Sequence, residues 1–135
     1  MPITFIPKPG YVLMCDFSGY VAPEIVKVRP VVIVSPAHLF RPGLVSVVPL
    51  STTAPEPIQP YHYRLVGNPI PGSSSTEVWA KCDLVATVRL ERLDRVKVGR
   101  GNYQSSNISM DQVRAIRRAI ILSLGFDKAY VDGLD

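Results

Sequence analysis

Apolar and polar positions fall in blocks along this 135-residue chain. Six short runs, residues 11–17, 30–35, 44–50, 61–66, 77–88 and 93–98, are rich in β-branched and aromatic side chains and bounded by Pro and Gly. Runs of this length and spacing predict strands of a small barrel or sandwich, with the 77–88 run bent or broken near Asp83. The 13 prolines sit almost wholly at run boundaries, where a missing N–H removes no ladder bond. Residues 67–76, GNPIPGSSST, read as one long flexible surface loop.

One segment follows a different period. Val113, Ile116, Ile120 and Leu124 recur at helical spacing over residues 109–124, and Gly125 is a natural stop. Ser109 and Gln112 have the spacing of a capping box, and Asp111 suits the positive end of the helix dipole. The pattern predicts one amphipathic helix packed on the barrel, with Arg114, Arg117 and Arg118 facing mostly outward. Residues 126–135 read as a frayed or lightly docked tail. The chain shows neither a repeat nor a linker, so residues 1–135 form a single domain of the α+β, mainly β, class.

With 47% hydrophobic and 19% charged residues the composition is globular. No apolar run approaches the roughly 18 residues that span a bilayer. The first ten residues hold three prolines and do not read as a signal peptide, so a soluble cytoplasmic domain is expected. Net charge is +4, unevenly spread: residues 85–118 carry +5 and the remainder −1. That segment is either a solvated face or a contact surface for phosphates or an acidic partner. Cys15 and Cys82 lie in separate apolar runs and read as free buried thiols. A metal site is not expected, because there is no CxxC and His38 and His62 have no ligand-spaced neighbours.

The candidate chemistry comes from pairing two strands. A short connection makes residues 30–35 and 44–50 antiparallel neighbours. If Ser35 pairs near Leu44, Arg29 and the Ser51-Thr52-Thr53 cluster emerge together at the open end, with Glu24 on the loop leading in. A guanidinium beside hydroxyls fits a phosphate, although polar strand ends and turn-forming Ser and Thr are also ordinary structure.

The order PKPG-YVLMCDF, Glu24-x4-Arg29-Pro30-VVIVSP, GLVSVVPLSTT and VWAKCDLVATV resembles the MazF/PemK family of toxin–antitoxin ribonucleases. The resemblance runs from about Pro7 to Leu124. It implies an SH3-like or CcdB-like antiparallel barrel with a C-terminal helix, a homodimer, and metal-independent, cofactor-free cleavage of single-stranded RNA at short sequences. It also implies a cognate antitoxin partner and no role for a membrane. By position, Arg29 resembles the catalytic arginine, and Ser51 falls where the family has its catalytic threonine. Thr52 is the alternative if the register slips by one, and Glu24 matches the family's acidic loop position. RNA-binding candidates are Tyr20, Lys27, Thr53, His62 and Tyr63, with residues 19–28 and 67–76 as specificity loops. The general base is left open among Arg29, Glu24 and His62. The alternative reading is a non-enzymatic toxin of the same fold that binds a protein such as DNA gyrase, or a nucleic-acid adaptor.

Overall fold

The computed structural model describes residues 2–36 and 41–134; His38, weighed above as a metal ligand, lies outside the described residues. The strands are β1 (Tyr11–Asp16), β2 (Val28–Ile33), β3 (Leu44–Ser51), β4 (His62–Arg64), β5 (Trp79–Lys81), β6 (Ala86–Arg89), β7 (Leu93–Asp94), β8 (Val96–Gly99), β9 (Asn102–Gln104) and β10 (Ser106–Asn107). Helix α1 (Met110–Ser123) and the short α2 (Lys128–Asp132) follow.

The main sheet is antiparallel and runs β10-β1-β2-β3-β5-β4, with β6 beside β3 and β7 beside β1. Among the described residues it is not a closed barrel, because β10 and β4 end the path without pairing to each other. Both are two or three residues long, and α1 packs across the sheet face, where its Val113, Ile116 and Ala119 share a cluster with Val12, Val32, Val48 and Leu50. The other face carries Leu13, Cys15, Val31, Ile33, Val45, Val47 and Leu93. Burial on both faces explains why the central strands read as continuous apolar runs rather than alternating ones.

The long run breaks close to where it was expected to. A single 3-10 turn, Cys82–Leu84, separates β5 from β6, and both stay on the same edge of β3 (Leu50 opposite Ala80, Val47 opposite Ala86). The run at 93–98 splits instead of forming one strand: Leu93 and Asp94 pair with β1, whereas β8 turns away to pair with β9. The edge of β1 then resumes with β10. Between these partners β1 moves from Met14 to Val12, two residues, while the facing chain moves from Asp94 to Ser106, twelve. The surplus is the β8–β9 hairpin, an excursion that the sheet itself does not require.

Helix α1 starts as expected, with the Ser109 hydroxyl accepting the Gln112 N–H. The reciprocal half of the capping box is missing, because the Gln112 side-chain oxygen accepts instead from the Tyr63 hydroxyl (3.3 Å) and the Val66 N–H (2.8 Å). Arg117 does not face outward; its Nε donates to the Val34 carbonyl at 3.0 Å. The tail is drawn in at α2, where Val131 is buried and Arg118 donates to the Leu134 carbonyl. The 67–76 loop is knitted rather than loose. Asn68 donates to the Ser73 hydroxyl and the Ser75 carbonyl and accepts from the Ile70 N–H, and Ser106 bonds the Pro69 carbonyl. No helix among the described residues is long and apolar enough to cross a membrane.

Candidate functional site

The β2–β3 register sets Val31 opposite Pro49, Val32 opposite Val48 and Ile33 opposite Val47. Two residues beyond Val31 and Pro49, at the open end of the pair, stand Arg29 and Ser51. Side chains two apart share a sheet face, so both point to the side that buries Val31 and Ile33. There the core ends and an open cleft of about 430 Å³ begins.

Three elements line this cleft: the loop before β2 supplies Glu24, Ile25, Val26 and Lys27, the β2–β3 end supplies Arg29, Pro49, Ser51 and Thr53, and the β5 region supplies Lys81 and Leu84. Ile25 also packs against the buried cluster beneath, so the loop is tied down where its charged neighbours meet solvent. The Glu24 carboxylate accepts the Val21 N–H at 2.9 Å and the Glu24 N–H donates to the Val21 carbonyl at 2.9 Å, which closes the turn that carries it. The Ser51 hydroxyl accepts the Thr53 N–H and donates to the Thr53 carbonyl, each at 3.1 Å. Three cations, Lys27, Arg29 and Lys81, therefore face one carboxylate. Among the described residues none of the three is in an ion pair with a carboxylate. Such a cleft favours an anion, and its open, partly apolar wall suits an extended ligand.

The expected site residues divide cleanly. Arg29, Ser51, Glu24, Lys27 and Thr53 come together in the cleft, whereas Thr52, Tyr20, His62 and Tyr63 are not part of its lining. Thr52 is exposed beside it. Tyr20 packs edge-on to Phe17 (5.4 Å between centroids) under the Arg92 guanidinium. His62 stands opposite Lys81 on β4, but its Nδ1 accepts the Gln59 N–H at 2.9 Å and its Nε2 lies 3.9 Å from an Asp83 oxygen. Tyr63 points to the helix side, where burial pushes its hydroxyl above the usual range. The 67–76 loop lies away from the cleft, against Val98 of β8.

Lys81 was missed from the sequence. Its only signal there is a lone cation between Ala80 and Cys82 in an otherwise apolar run. Both thiols are free and buried, and burial pushes Cys15 and Cys82 up to about 12. Among the described residues no three His, Cys, Asp or Glu side chains gather in a way that would hold a metal ion.

The chain is similar to known proteins along most of its length. A family model described as PemK-like, MazF-like toxin of type II toxin-antitoxin system matches residues 8–124. The uncharacterised protein YifN of Escherichia coli (strain K12) is 31% identical over 145 residues, covering 92% of this chain and 95% of its own length. Among solved structures, MazF (Form-I) from Deinococcus radiodurans superposes with a TM-score of 0.65 at 19% identity, over 90% of this chain and 99% of that one. An endoribonuclease in complex with its cognate antitoxin, from a mycobacterial species, superposes with a TM-score of 0.58 at 22% identity, over 90% and 97%. At these identities the two structural matches bear on the fold alone.

Proposed function

Because this chain belongs to the PemK-like, MazF-like toxins of type II toxin-antitoxin systems, we propose that it is an endoribonuclease toxin, a homodimer that cuts single-stranded RNA at short sequences without a metal and is neutralised by a cognate antitoxin. The observation that carries this reading is the meeting of Arg29 and Ser51, 22 positions apart in the chain, in one cationic cleft.

RNA brings its own nucleophile. Attack of the ribose 2′-oxygen on the adjacent phosphorus forms a 2′,3′-cyclic phosphate and breaks the bond to the 5′-oxygen. The 2′-hydroxyl proton goes to a base, and the 5′-oxygen takes up a proton at the open mouth of the cleft. In this reading Arg29 holds the non-bridging oxygens, where a preorganised cation counts most as charge develops. Ser51 turns its O–H from the Thr53 carbonyl to the same phosphate. Arginine stays protonated and is a poor base, and the Nδ1 of His62 is already occupied. Glu24 is the carboxylate lining the cleft. One of its oxygens is held by Val21 and the other is assigned to receive the proton.

An acidic antitoxin segment folding across the cleft would meet Lys27, Arg29 and Lys81 while Val26 and Leu84 offer apolar anchors. Such a complex weakens with salt in proportion to the share of charge in its binding.

The test is incubation of the purified protein with a mixed single-stranded RNA pool in EDTA. The reading expects discrete fragments with cyclic phosphate and 5′-hydroxyl ends from the wild type and none from Arg29→Ala. Equal cutting by Arg29→Ala, or an uncut pool together with trapped DNA–gyrase complexes in cells, refutes it.

A further inference from the structure

The basic segment found in the sequence is mostly consumed by the fold. Arg89 pairs with Glu91, Arg92 donates to the Asp16 and Ser18 carbonyls, Arg114 pairs with Asp111, and Arg117 and Arg118 donate to the Val34 and Leu134 carbonyls. What is left over is Arg95, Lys97 and Arg100, none of which has an ion-pair partner among the described residues. All three lie on or beside the β8–β9 hairpin, the excursion that the sheet does not require.

The hairpin has two unlike faces. Val96 is buried and Val98 lies against Gly72, where an added Cβ would come within 3.1 Å, so this face is fixed to the body of the protein. Lys97 stands opposite Tyr103 across the hairpin, and Tyr103 is 36% exposed. The Arg95 guanidinium sits 5.9 Å from the centre of the Tyr103 ring. Beside them opens a hollow of about 580 Å³ lined by Ile3, Phe5, Asp94, Arg95 and Tyr103. Cations that track a backbone, next to a flat ring and a recess whose Ile3 and Phe5 give a base an apolar wall, are what a single strand of nucleic acid requires. An acidic peptide would use the cations but has no need of the ring.

The two sites are joined through β1. Cys15 pairs with Arg29 on one edge and with Leu93 on the other. At about 4.8 Å per strand, the backbone of Arg29 lies roughly 10 Å from that of Leu93, two residues before Arg95.

We propose that the outer face of the β8–β9 hairpin, with Arg95, Lys97 and Tyr103, together with Arg100 in its turn, is a second binding site for single-stranded RNA, outside the cleavage cleft. As a grip on the same RNA strand that is cut, it rests on the endoribonuclease reading; as a binding site, it is measured separately from cleavage.

The experiment uses the full chain and a long single-stranded RNA carrying 2′-O-methyl groups, which cannot be cut, with fluorescence anisotropy followed over a salt series. Arg95→Gln/Lys97→Gln/Arg100→Gln should weaken binding at least about tenfold at moderate salt. The triple variant should also reduce the slope of log K against log salt by about 2, at roughly 0.7 for each phosphate left without its cation. Tyr103→Ala should weaken binding about tenfold with the salt slope unchanged, and Tyr103→Phe should restore it. Lys128→Gln, on the surface of α2, serves as the control. Unchanged affinity and slope in the triple variant overturn the inference, as does loss of binding to an acidic antitoxin peptide with RNA binding intact. If the wild type cuts RNA and the triple variant binds normally, the hairpin site fails and the endoribonuclease reading stands. If binding depends on the hairpin but no RNA is cut, the reverse holds.

Discussion

The Ser51 hydroxyl and the Thr53 backbone exchange two hydrogen bonds, each at 3.1 Å, so the proton that Ser51 would offer a phosphate is held by a carbonyl in the free protein. If that hydroxyl turns to the phosphate as proposed, Ser51→Ala should lower kcat by at most about 10²-fold, the scale for loss of one donor that needs no reorientation. Ser51→Thr keeps the hydroxyl and should retain most activity. Single-turnover cleavage of a defined RNA measures both.

Arg29 and Lys81 both present positive charge to the cleft, but in different ways. A guanidinium offers a planar fork and an ammonium a point charge. Arg29→Lys should thus lose most of the cleavage rate, about 10²-fold, although the charge is kept. If the cleft cuts RNA as proposed, Lys81→Gln, which removes a point charge from the wall beside Arg29 and Ser51, should act mainly on KM. Comparing kcat and KM for the two variants separates these roles.

Much of this site was legible because strand pairing converts loop length into position. Once residues 30–35 and 44–50 are antiparallel neighbours, the register leaves little freedom, and Arg29 and Ser51 must meet. The aromatic candidates failed to collect in the cleft for the complementary reason. His62 and Tyr63 are consecutive on a strand, so their side chains go to opposite faces, and which face is apolar depends on a helix far along the chain. The hairpin was hidden because its strand-forming run, residues 93–98, looks continuous. The break is set by Leu93 docking on β1, not by any local turn residue. The sheet was expected to close, yet β10 and β4 end it unpaired with each other, and which strands meet at the ends is set by tertiary packing that no strand pattern contains.

Gln112 joins α1 to β4 by receiving both the Tyr63 hydroxyl and the Val66 N–H. Gln112→Ala should lower the unfolding free energy by about 1–2 kcal/mol, and Tyr63→Phe by less, since Val66 keeps its acceptor. Urea denaturation with an unchanged m-value checks the pair.

Cys15 and Cys82 titrate near 12 in the fold against an ordinary 9.0, burial being the larger cause in each. A raised folded value means that the unfolded chain loses its thiol protons first. The contribution to stability is complete below pH 9 and falls as pH rises from 9 toward 12. Thermal melts should decline over that window in the wild type and less steeply in Cys15→Ala/Cys82→Ala. A thiol reagent at neutral pH should label the unfolded chain and leave the folded one untouched.

The interrupted edge beside β1 has an evolutionary consequence. Since β7 and β10 hold the same neighbour on either side of the detour, its length and composition can drift without moving any strand that positions Arg29 or Ser51. If the cleft cuts RNA and the hairpin holds it, such a seam would let the grip be rebuilt while the geometry around Arg29 and Ser51 is kept, much as a tool keeps its handle through many interchangeable heads.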